Sequence, residues 1–276
     1  MTNRKTVKFA CTIVGGAACA ITVGGLPALA ADHGAPANQA CAVSTLNGKL
    51  EGAGGFIDQR GNDGGRGHAL ISLAAPLGCM YGFQVDGGIG DLAGSTAGGL
   101  AGHIFARDPS RYLYGGYAQW GSVGGQDIWR IGAEAEFYRG NMTFEVLGGF
   151  EDTDRTKSDI FAALDVAFYS TENLRISAGY RRFVKVDAAG FGLEWQPEEL
   201  NLGVPVSFFL NGGVGSKSYA TLYGGVRFHF GAANKSLIRR HREDDPGAKG
   251  IFELQREDFS NVDTVTSGTG GDSKSE

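Results

Sequence analysis

Twelve ionisable residues in the middle of this sequence could do chemistry together. The acids are Asp86, Glu134, Glu136, Glu145, Asp165 and Glu194, and the bases are His103, Arg107, Arg130, Arg175, Arg181 and Arg227. In extended chain, alternate residues share a face. Glu134 and Glu136 therefore point the same way, and a tight turn at Arg139–Gly140 brings Glu145 alongside them. At least one like-charged pair should then face across a strand ladder, which is unfavourable without a counter-charge. Arginine forks, metal ions or protonation could each supply the compensation.

Catalysis is a poorer match to the residue types. A nucleophile needs a base within hydrogen-bond reach and a third group to orient that base. The histidines after the leader are His33, His68, His103, His229 and His241, and no motif links one of them to a serine. There is no H-x-x-x-H, no C-x-x-C pair and no acidic loop with calcium spacing. The glycine run "GGIGDLAG" has no helix after it, so it is no dinucleotide loop. No catalytic residue, metal ligand or cofactor is expected, and the chain does not read as an enzyme.

The elements that hold these charges read as strands. In "DIWRIGAEAEFY", Trp129, Ile131, Ala133, Ala135 and Phe137 share one face, while Arg130, Gly132, Glu134 and Glu136 share the other. In "NMTFEVLGGF", Met142, Phe144, Val146 and Phe150 oppose Thr143 and Glu145. Such segments recur about every ten residues between turn residues, the pattern of a transmembrane β-barrel. About twelve strands are expected, at 48–58, 68–76, 80–91, 97–107, 112–121, 127–138, 141–151, 159–169, 174–183, 187–196, 204–214 and 218–230. An even count puts both barrel ends of the chain on one side. Aromatic residues gather toward both ends of the strands, as interfacial girdles would.

The leader says where such a barrel would go. "MTNRKTVK" is basic, a small-residue apolar run follows, and "LPALAAD" places Ala28 and Ala30 in the A-x-A positions. This is a secretory signal peptide, residues 1–30, with cleavage expected after Ala30. Past Ala31 no apolar run reaches the ~18 residues that a membrane helix needs. Cys11 and Cys19 leave with the signal, and Cys41 and Cys79 remain as a candidate disulfide in an oxidising compartment. The net charge of −5 includes no basic stripe, so nucleic acid is not a partner.

"LYGGVRFHF" closes the strand series. Tyr223, Gly225, Phe228 and Phe230 match the form of the assembly signature on the last strand of outer-membrane barrels. The span 47–230 resembles Gram-negative outer-membrane β-barrel proteins of the porin-like superfamily. "KSLIRRHREDDP" looks like a tail found after barrels in alphaproteobacterial proteins of unassigned function. The resemblance implies an all-β, antiparallel up-and-down barrel in the bacterial outer membrane, with membrane lipid and the barrel-insertion machinery as partners. It supplies no substrate. The domain plan is a signal at 1–30, an N-terminal periplasmic segment at 31–46, the barrel at 47–230 and a charged, partly disordered periplasmic tail at 231–276. Arg239, Arg240 and Arg242 of that tail are either solvated, docked at the acidic lumen mouth or bound to a periplasmic partner.

Function divides on the lumen. Eight strands leave room only for side chains or one small ligand, and sixteen leave an aqueous channel. Twelve lie between. The leading expectation is a narrow porin-like channel or binder for small hydrophilic solutes. A non-conducting barrel for envelope integrity is the alternative, and a lipid-modifying barrel hydrolase is the distant third.

Overall fold

The computed structural model describes residues 41–59, 62–154, 158–198, 200, 203–231, 235–244, 246–247 and 252. The expected signal segment and its cleavage site lie outside them. Strands follow one another along the chain: β1 (Asn47–Gln59), β2 (Asn62–Leu77), β3 (Tyr81–Leu92), β4 (Ser95–Asp108), β5 (Tyr112–Val123), β6 (Gln126–Arg139), β7 (Met142–Thr153), β8 (Asp159–Thr171), β9 (Leu174–Phe183), β10 (Val186–Trp195), β11 (Val206–Gly215) and β12 (Tyr219–Phe230). Each pairs antiparallel with the next, and β1 pairs with β12, so the sheet closes into a barrel. The closing ladder runs from Gly48↔Phe230 to Asp58↔Ala220.

Most strands fall within about two residues of the sequence expectation. The exception is β2, which starts at Asn62 rather than at residue 68 and pairs with β1 out to Gln59↔Asn62. "NDGGRG" has no apolar alternation to betray a strand. Here backbone hydrogen bonds alone extend the ladder.

The end holding the start of β1 and the end of β12 is called the terminal end, and the opposite one the far end. Far-end hairpins are tight. Ala93 and Gly94 have φ of 49° and 77°, and Val184 and Lys185 have φ of 47° and 59°. Two successive left-handed residues make the turn whose twist matches the flanking strands. Val184 is β-branched and disfavours this conformation. Its buried side chain and a 2.5 Å hydrogen bond from its N–H to Glu151 Oε1 hold it there.

The barrel is apolar outside and mixed inside. Outward residues such as Ile71, Val85, Ile131, Val146, Leu164 and Ile176 are exposed, whereas the alternate positions are buried. Tyr81, Tyr114, Phe137, Phe168 and Phe228 ring the terminal end on the same outer face, and Phe56, Trp129 and Phe150 stand toward the far end.

Both chain segments flanking the barrel pack into its terminal mouth. Cys41 is disulfide-bonded to Cys79 in the β2–β3 turn. Val43 is buried with Ala74, Phe105, Leu113 and Tyr138. Beyond β12 the helix α1 (Leu237–Glu243) forms, and its Leu237 is buried against Ala167 and Tyr169. The described part of the tail therefore lies against and within the barrel instead of hanging free of it.

The exposed apolar band makes a testable demand. Leu164 sits in the middle of β8 with its side chain outward. Leu164→Arg should lower the stability of protein refolded into lipid vesicles by about 2–4 kcal/mol. Denaturant titration in vesicles reads this, and a change near zero would mean that the face is in water.

Candidate functional site

The lumen is the candidate site, and strand parity decides which residues line it. All twelve residues expected there point inward. Asp86, Arg130 and Glu194 are almost fully buried, while Arg175, Arg181 and Arg227 keep partial access to the interior space. They do not form one cluster. The structure sorts them into separate networks on different parts of the wall.

The first network is an acidic row. Register sets Glu136 opposite Glu145 and Glu145 opposite Asp165, across β6, β7 and β8. Arginines from β9 neutralise it. Arg175 Nη2 donates to Glu145 Oε1 at 2.9 Å, and Arg181 Nη2 lies 2.8 Å from Asp165 Oδ2. Tyr138 Oη donates to Glu136 Oε2 at 2.9 Å. Arginine guanidinium groups stand against two of these three carboxylates. Among the described residues no group of His, Cys, Asp and Glu could hold a metal ion.

A second network centres on His103. Its Nδ1 lies 2.9 Å from Glu134 Oε2 and its Nε2 lies 3.1 Å from Asp86 Oδ2. Both contacts are hydrogen bonds when the ring carries two protons. Gln84 Nε2 donates to both oxygens of Asp86. A third joins Arg130 to Glu151 at 3.0 Å, with Arg130 also donating to Gln119 and lying over the Phe183 ring.

The fourth surrounds the closing seam. Glu51 accepts from Arg227 Nε at 2.6 Å, and His68 Nε2 lies 2.8 Å from the other oxygen of Glu51. Arg227 also pairs with Glu194. Ser207 Oγ donates to Glu194 Oε1 at 2.7 Å and lies 3.0 Å from His229 Nε2. A hydroxyl has one proton. Given to Glu194, it leaves His229 as the donor to Ser207, the reverse of a base that activates a nucleophile. Glu51, Arg66, His68 and Glu151 belong to the lumen but escaped the sequence reading. Arg66 fell in the expected loop 59–67, and Glu51 sits in a glycine-rich stretch.

Between the networks lies a cavity of about 180 Å³, lined by Glu51, Glu145, Asp165, Arg175, Arg181, Glu194 and Arg227. That is room for a few waters or a small solute. A buried apolar cluster lies beside it inside the barrel, formed by Leu70, Tyr117, Leu147, Phe161, Phe183 and Phe252.

Helix α1 lies over the terminal mouth. At its start, Leu237 N–H donates to Asn173 Oδ1 at 2.9 Å. At its end, Asp244 Oδ1 accepts from Lys235 Nζ and from Ser44 Oγ, and Arg107 Nη1 donates to the Asp244 carbonyl. Arg240 Nε donates to Gln196, and Arg242 Nη2 donates to the Met142 carbonyl. Arg239 stays exposed and pairs with Glu243. Of the alternatives for the tail arginines, docking at the mouth describes Arg240 and Arg242.

The four residues of β12 that the sequence reading expects to form an assembly signature divide between the faces. Tyr223 and Gly225 face the lumen, with the Arg66 guanidinium 3.7 Å from the Tyr223 ring centre, whereas Phe228 and Phe230 face outward.

Two measurements test these assignments. Arg175→Met removes one partner of a buried pair and should destabilise the barrel by about 3–5 kcal/mol. Adding Glu145→Gln should recover most of that loss; a double variant no better than the single would place Arg175 elsewhere. In α1, burial raises the Glu243 carboxyl, but hydrogen bonds from Arg239 and Lys235 outweigh it and leave it below the usual glutamate range. A depressed acid stabilises the docked state above its unfolded pKa and loses that contribution as pH falls. Protection of the α1 amides, corrected for intrinsic exchange, should therefore drop below about pH 4. Unchanged protection would dissociate Glu243 from docking.

Known proteins supply a fold and no more. No family profile matches the sequence, and no curated protein matches it. Among solved structures, the KdgM porin in complex with disordered oligogalacturonate superposes with a TM-score of 0.51 at 10% identity. The alignment covers 66% of this chain and 99% of that one. The KdgM porin in a second structure gives 0.51 at 9% identity over the same shares, 66% and 99%. The chain is similar to these porins in architecture, that of a closed antiparallel β-barrel.

Proposed function

We propose that this chain is an outer-membrane β-barrel whose lumen is a narrow pathway for small hydrophilic solutes. The observation that carries the reading is its inverted polarity. The exterior is a band of exposed aliphatic and aromatic residues, and ion pairs line an interior cavity of about 180 Å³. Lipid accepts a sheet only when closure satisfies every backbone group, and the β1–β12 ladder provides that closure. The export signal expected at residues 1–30 and the porin likeness agree with an outer-membrane site. On that reading the terminal end faces the periplasm, and Tyr223, Gly225, Phe228 and Phe230 present the assembly signature to the insertion machinery.

The path runs along the wall from β6 through β12 to β1 and β2, where the cavity lies, and Leu70, Phe183 and Phe252 of the apolar cluster border it. Its lining carries both signs, which suits small polar or zwitterionic solutes more than large ions of one charge. Oligogalacturonate belongs to the KdgM complex. The mixed lining here is not built as a wide track for a polyanion.

A second reading has its own support. The apolar cluster of Leu70, Tyr117, Leu147, Phe161 and Phe183 is what a filled, non-conducting barrel would contain. Planar-bilayer recording separates the two. A pathway predicts a small ohmic conductance, with a reversal potential in a salt gradient that shifts when Asp165→Asn removes lumen charge. A protein that inserts but never conducts, and that loses only stability on this substitution, fits the structural barrel.

A further inference from the structure

The lumen wall carries an occupied binding site that the transport reading does not use. Phe252, from the chain beyond β12, lies buried inside the barrel. Its ring stacks on His68 with centroids 4.2 Å apart and planes 20° from parallel. Its carbonyl accepts from Arg66 Nη2 at 3.3 Å. The floor beneath the ring is Gly88. A Cβ built there would stand 2.5 Å from the ring edge of Phe252, so only glycine leaves the space.

The seat is rigid because the barrel's ion pairs hold it. Glu51 fixes the His68 ring at 2.8 Å and is itself held by Arg227. Arg66 donates to Thr221 Oγ1 at 3.1 Å and spreads over Tyr223. A stacking ring, a guanidinium aimed at a carbonyl and a glycine floor together recognise an extended peptide with an aromatic side chain.

We propose that Phe252, seated on His68 and against Gly88, is a built-in plug of the lumen. Helix α1 lies over the terminal mouth, and Phe252 belongs to one buried apolar cluster with Leu70, Tyr117 and Phe183. Gly247 and Phe252 both line the cavity, so these two residues border the space a solute would use. Tethering makes a weak site sufficient, because a linked segment meets its seat at millimolar effective concentration. The inference rests on the pathway reading of the lumen, since a plug regulates only a barrel that can conduct.

Two readouts on the full-length exported chain separate the inference from that reading. The first replaces Phe252 with the photo-crosslinking analogue benzoylphenylalanine and maps crosslinked peptides by mass spectrometry. Crosslinks should fall on β2 and β3 around His68 and Gly88, and Gly88→Ala should reduce them several-fold. The second compares single-channel recordings of wild type and Phe252→Ala, a change on the tail that leaves every strand intact. Phe252→Ala should raise conductance or open probability several-fold. Absence of crosslinks to β2 and β3 would overturn the seat. Equal, measurable conductance in wild type and Phe252→Ala would overturn the plug and leave the pathway standing. Crosslinks at the seat with no conductance in either protein would overturn the pathway reading, and with it the plug's role as a gate.

Discussion

The ladder between β1 and β12 is the constraint on which the rest of the structure depends. Without it, two strand edges would present unpaired N–H and C=O groups to lipid, at several kilocalories per mole each. Once the ladder closes, every strand has an inside and an outside, and a period of two fixes which residues go where. A one-residue slip would turn Glu145 and Asp165 into lipid and Val146 and Leu164 into the lumen. The ladder is also where sequence-distant charges meet, since Glu51 on β1 and Arg227 on β12 pair across it.

Closure then creates the problem that the lumen solves. Inward parity packs acids opposite each other, as in the row Glu136, Glu145 and Asp165. Burying such charge is tolerable only with opposite charges at hydrogen-bond distance. Arginines supply this from β9 and from β12, and Arg130 supplies it toward the far end. A barrel of twelve strands has more interior than these pairs can fill. Within the remaining volume lie an apolar cluster that includes Phe252 and a small cavity. Those are the parts that decide whether anything crosses.

The sequence held the barrel more openly than it held the plug. Alternation in β6 and β7 is strong, so their inward acids could be read directly, and the opposition of Glu136 and Glu145 follows from the turn at Arg139–Gly140. Parity does not say which arginine compensates which acid, because that depends on register across strands far apart in sequence. The start of β2 was hidden because glycine has no side chain to alternate. The docking of α1 was one of three alternatives that the sequence left open, for a different reason. "KSLIRRHREDDP" is locally a charge run, and what turns it into a buried cap are Gln196, Asn173, Ser44 and Arg107, each brought to the mouth by the barrel. Phe252 stands in "GIFEL", a short apolar patch of a charged tail, and only the space above Gly88 gives it meaning.

The central claim is that a closed sheet presents apolar side chains to lipid and polar ones to an enclosed interior. Nitroxide scanning along β6, from Ile128 to Phe137, in protein reconstituted into lipid vesicles tests it most directly. Accessibility to oxygen, which partitions into lipid, should alternate residue by residue. Positions 129, 131, 133, 135 and 137 should be high and the intervening positions low. A flat profile, or outward positions relaxed more strongly by an aqueous nickel chelate than by oxygen, would contradict the account.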